Sequence, residues 1–136
     1  MNNNVEFKIN YANMRTIIIN YFKSQGRDVK VTISSTIDTD RFKGTVDTIV
    51  TIYEKVIIAG VQTTTKKILW LEDLKEIINE TLSQDNKELV DLTCDAYSYT
   101  SVEGAYMGEH GETKIGGKSF TAIIKEKQNV KTKVLK

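Results

Sequence analysis

Tyr97, Tyr99, Tyr106, His110, Lys114 and Lys118 fall within one segment that also holds five of the chain's eight glycines. Aromatic rings offer faces for stacking, and glycines admit the left-handed geometry in which successive N–H groups form an anion-binding nest. With two lysines as charge partners, that mixture suits a nucleotide-like small molecule or a partner protein. The alternative is a long hairpin tip that contacts no ligand. Gly116-Gly117-Lys118 lacks the upstream glycine of a phosphate-binding loop, and no strand-loop-helix pattern surrounds it.

For catalysis the inventory is poor. His110 is the only histidine, and general acid-base and nucleophilic mechanisms most often recruit that side chain. Cys94, the single cysteine, alternates in register with Val90, Leu92 and Ala96, so it reads as a small core hydrophobe. Glu109, His110 and Glu112 could ligate a metal, but no second histidine and no HExxH spacing supports a tight site. Asp91 and Asp95 fall on one face of the same strand, where paired carboxylates could do metal-assisted hydrolysis; the simpler reading is a solvated face. No catalytic residue, metal site or cofactor is expected.

The chain has 136 residues, 40% of them hydrophobic, and a net charge of +1 at pH 7. That length suits one domain burying about 68% of its unfolded surface. The even charge balance marks neither a DNA mimic nor a general polyanion binder, so nucleic acid is not indicated by net charge. One cysteine excludes an internal disulfide, and no apolar run approaches the ~20 residues of a membrane span. With no signal-peptide pattern, cytoplasmic residence is the expectation. Sixteen lysines against three arginines, with no proline, suit an AT-rich genome, that of a low-GC bacterium or its phage.

These residues must be positioned by strands and helices. Val5, Phe7 and Ile9 alternate with Glu6 and Lys8, a half-buried strand. Asn10 or Asn13 can cap a helix carrying Met14, Ile17, Ile18, Tyr21 and Phe22 on one face, with Gly26 ending it. Val29 to Ile37 alternates again. A turn at Asp38 to Arg41, a strand over Phe42 to Tyr53, a turn at Glu54-Lys55, a short strand from Val56 to Ala59, a break at Gly60 and a strand from Val61 to Trp70 make a meander. Leu71, Leu74, Ile77, Ile78 and Leu82 recur at helical spacing behind Glu72 and Asp73. Trp70, at that junction, reads as core or interface. One strand over Leu89 to Thr100 and another over Lys118 to Glu126 then form a hairpin with a long glycine-rich tip.

Arg41-Phe42-Lys43-Gly44-Thr45-Val46, then Glu54 to Ile58, then Ile68 to Ile77 resemble the rhythm of small Sm-like and YolD-like β-barrels. The resemblance spans residues 28–78 and implies a ring-forming module that binds RNA or a nucleotide. The RNA-contacting motifs of the Sm-like proteins are absent, and a helix over Leu71 to Leu82 stands where those barrels place a closing strand.

The expected fold is therefore α+β: an antiparallel sheet of about six strands, with a partly closed small barrel as the variant, and two flanking helices in the order β-α-β-β-β-α-β-β. Residues 1–127 form the domain and 128–136 a basic tail, since Lys125, Lys127, Lys131, Lys133 and Lys136 face only Glu126. The expected function is a non-catalytic binding protein, a homo-oligomer that holds its nucleotide-like ligand or partner protein with the Tyr97 to Lys118 hairpin; a small phage inhibitor of host defence would be of this kind. The alternatives are a phage head or tail assembly subunit and a metal-dependent hydrolase built on Asp91 and Asp95.

Overall fold

The computed structural model describes residues 4–38, 45–101 and 112–127. Among them, strands and helices run β1 (Val5–Asn10), α1 (Tyr11–Lys23), β2 (Val29–Asp38), β3 (Thr45–Ile58), β4 (Val61–Leu69), α2 (Leu71–Ser83), β5 (Lys87–Cys94), β6 (Tyr97–Ser101), β7 (Glu112–Gly116) and β8 (Ser119–Glu126). The fold is α+β with every sheet antiparallel. Tyr106, His110, the Asp38 to Arg41 turn beyond Asp38, and the basic tail lie outside the described residues.

Local chemistry accounts for both helices. At the start of α1, Asn10 is extended and its Oδ1 accepts from the Asn13 N–H at 2.7 Å, satisfying one of the donors a helix start leaves open. Gly26 adopts φ +76°, which turns the chain so that the Arg27 N–H reaches the Phe22 carbonyl at 2.9 Å. At the start of α2 the Asp73 carboxylate accepts from the Trp70 N–H at 2.8 Å. Met14, Ile18 and Phe22 of α1 and Leu74, Ile77 and Ile78 of α2 enter one buried cluster with Val31, Val50, Ile52, Leu69, Leu92, Phe120 and Ala122.

The strands form three sheets, β1-β8-β5, β2-β3-β4 and β6-β7, in place of one sheet of about six, and among the described residues no barrel closes. Two sequence expectations are corrected here. Glu54-Lys55 is no turn: β3 runs through it, pairing Glu54 with both Val29 and Thr65. Glu54 is held in the strand by a two-pronged Arg27 contact, Nε to Oε2 at 3.0 Å and Nη2 to Oε1 at 2.7 Å. The reversal falls at the Gly60 break, where Ala59 and Gly60 take consecutive φ values of +51° and +81° and make the two-residue turn whose twist matches a hairpin.

The second correction concerns Leu89 to Thr100, which is two strands in different sheets. A bulge between Leu89 and Asp91 turns Val90 outward, 46% exposed, while Leu92 stays buried. The chain then breaks at Asp95-Ala96. Opposite, the incoming strand breaks at Gly117, with φ +62°, and Lys118. The hairpin pairing nevertheless continues across the break, from Cys94 with Phe120 to Tyr97 with Gly116. One long ribbon thus bends at a corner and serves two sheets. Trp70 is not in the core: it is 65% exposed.

Candidate functional site

Beyond the corner, β6 and β7 carry the residues singled out in the sequence. Tyr97 pairs with Gly116 and Tyr99 with Lys114, and alternate residues of one strand share a face, so Tyr97, Tyr99 and Lys114 stand together. The two rings lie 6.0 Å apart at 47°, 55% and 45% exposed, and Lys114 is exposed beside them. The Tyr97 ring is seated on glycine: a Cβ at Gly116 would lie 2.8 Å from its Cζ, and one at Gly117 2.8 Å from its Cε1. Lys118 is exposed at the corner. Of the six expected residues, the structure therefore brings Tyr97, Tyr99 and Lys114 onto one face, and Tyr106 and His110 lie outside the described residues.

The corner itself is built by Asp95. Its Oδ2 accepts from Thr121 Oγ1 at 2.6 Å, Lys8 Nζ at 3.3 Å and Ser119 Oγ at 3.3 Å, and its N–H donates to the Ser119 carbonyl at 2.9 Å. Partial burial pushes the carboxyl up, but the hydrogen bonds from Thr121 and Lys8, the Lys8 charge and the Ser119 hydroxyl outweigh it and hold it below the usual carboxylate range. The sequence reads Asp91 and Asp95 as a solvated strand face, with a catalytic pair as the alternative. In the structure each has its own cation, Lys8 for Asp95 and Lys75 of α2, at 3.7 Å, for Asp91. Among the described residues no three His, Cys, Asp or Glu side chains gather as a metal site. No local signal could have linked Lys8 to Asp95, which are 87 positions apart.

Two of the clefts among the described residues lie elsewhere. One of about 580 Å³ separates the C-terminal halves of α1 and α2, lined by Ile17 and Tyr21 together with polar groups including Asn20, Gln25, Thr81 and Gln84. There the Tyr21 hydroxyl donates to Glu80, and that bond, followed by burial, raises the phenol pKa. The other, about 90 Å³, lies between Trp70, Leu71 and Ile68 over Phe120, with Cys94 in its wall. Cys94 packs against the core, as its register suggested.

Among the described residues no helix is long and apolar enough to cross a membrane. Comparison with protein-family models, with curated proteins and with solved structures finds no match to this chain.

Proposed function

We propose that the chain is a non-catalytic binding protein that engages a partner protein through the Tyr97, Tyr99 and Lys114 face of the β6–β7 hairpin. The observation that carries this reading is the pair of neighbouring, half-exposed tyrosines beside a lysine, with Tyr97 held in place by its glycine seat. Tyrosine supplies a large amphipathic contact at low entropic cost and is enriched where proteins meet. A base sandwiched between the two rings would need them about 7 Å apart and parallel, twice the ~3.5 Å contact distance. At 6.0 Å and 47° they touch each other instead, which favours a broad protein contact over a stacked nucleotide.

Native mass spectrometry of the chain from a bacterial host, intact and after denaturing extraction, tests the proposal. A stoichiometric protein mass, a second copy included, that disappears in Tyr97→Ala and Tyr99→Ala variants of unchanged circular dichroism is the expected result. A small mass absorbing near ultraviolet base wavelengths would transfer the site to a nucleotide, and a partner retained by both variants would refute the assignment of the face.

A further inference from the structure

The register of the β2-β3-β4 sheet assembles a group that no stretch of sequence displays. Lys30 of β2 pairs with Tyr53 of β3, and Tyr53 with Lys66 of β4, so one cross-strand row reads Lys-Tyr-Lys. Directly paired residues share a sheet face. This is the outer face, because Val31, Ile52 and Leu69 occupy the buried one. Lys55, two positions beyond Tyr53 and paired with Thr64, joins them. All three lysines are exposed and Tyr53 is half-buried between the flanking strands. From the spacing of paired strands, the Lys30 and Lys66 backbones lie about 10 Å apart, with Lys55 about 7 Å along the strand from Tyr53.

The charge is unbalanced where it sits. None of the three lysines takes part in an ion pair among the described residues; Asp28, two residues before Lys30 and so about 7 Å from it along the chain, makes none either but offsets one of the three charges. Asp47, on the same face opposite Thr36, is six positions from Tyr53, about 20 Å along the strand. That exceeds the ~8 Å screening length of physiological salt, so Asp47 does not neutralise the lysines. The chain's net charge of +1 thus conceals a local excess of two positive charges around one aromatic ring, with Asp47 at the far end of the same face.

We infer that this face binds single-stranded nucleic acid, with a base on Tyr53 and phosphates at Lys30, Lys55 and Lys66. A cationic platform around an aromatic ring is what a flexible polyanion with π-faces requires. The site is independent of the β6–β7 face.

Fluorescence anisotropy of a labelled oligothymidylate, titrated with the full chain over a range of salt, is the test. Three phosphate contacts give log K a slope of about −2 against log salt, and each of Lys30→Ala, Lys55→Ala and Lys66→Ala flattens it by about 0.7. Tyr53→Leu weakens binding by about tenfold with the slope unchanged, provided circular dichroism shows the fold retained; should it not, Tyr53→Phe, which keeps the ring, must bind as the parent does. Three results overturn the inference. One is a triple lysine variant that keeps the parent slope, which would move binding elsewhere on the chain. Another is duplex bound as tightly as single strand, and the last is binding of polyglutamate but not of the oligonucleotide.

Discussion

The ring of Tyr97 rests on Gly116, its cross-strand partner, closely enough that a methyl group there would come 2.8 Å from the ring. An aromatic over a glycine covers backbone that the glycine leaves bare, and it orients the ring. The two glycines beneath it are not equivalent. At Gly116 the obstacle is the far end of a half-exposed side chain, which can tilt away. At Gly117 the backbone is left-handed and the added carbon would meet the Asp95 carbonyl oxygen at 2.6 Å. Gly116→Ala is therefore expected to cost less than about 1 kcal/mol and Gly117→Ala about 2–3 kcal/mol, read from urea unfolding midpoints at constant slope.

Asp95 makes stability fall in acid. Its folded carboxyl is held below the ordinary value, chiefly by Thr121 and Lys8 acting against burial. The contribution is complete above the unfolded carboxylate value of about 4 and is lost as pH falls through and below it. Asp95→Asn should be less stable than the parent by about 1–2 kcal/mol at neutral pH. The gap should narrow as pH drops below about 4. A constant difference across a pH series of thermal melts would contradict this role.

The turn at Ala59-Gly60 places a non-glycine residue at φ +51°. Asparagine tolerates that region better and is the preferred first residue of such a turn. Ala59→Asn is expected to stabilise by about 0.5–1 kcal/mol, visible as a higher unfolding midpoint.

Burial separates two apolar residues of the β1-β8-β5 sheet. Phe120 is 1% exposed, and Phe120→Ala should cost about 3–5 kcal/mol. Val90 sits outward on the bulge, so Val90→Ala should cost no more than about 0.5 kcal/mol. Equal effects in chemical denaturation would mean that the bulge lies elsewhere.

What the sequence displayed depended on the range of the interaction responsible. β1, α1, β2 and α2 follow from periodicity and caps, with Asn10, Gly26 and Asp73 acting within a few residues of their partners. The alternation of Tyr97 with Tyr99 likewise predicts their common face. Glu54-Lys55 read as a turn because two adjacent charges look like a break, yet alternation sends them to opposite faces and Arg27 holds Glu54, 27 positions away. The corner at Asp95 was hidden for the same reason. The pattern of small and polar residues continues smoothly from Leu89 to Thr100, and only Lys8, Ser119 and Thr121 show that the strand stops.

β8 is the central strand of its sheet, flanked by β1 from the other end of the sequence and by β5. During synthesis, β1 therefore waits for a partner that emerges last among the described elements, and the Lys8 to Thr121 hydrogen bond closes a loop of 113 positions. The β2-β3-β4 meander has only neighbours to find. Closure of long loops is what slows folding, so the meander with its two helices should assemble first on the ribosome, and the emergence of β8 should set when β1 can dock.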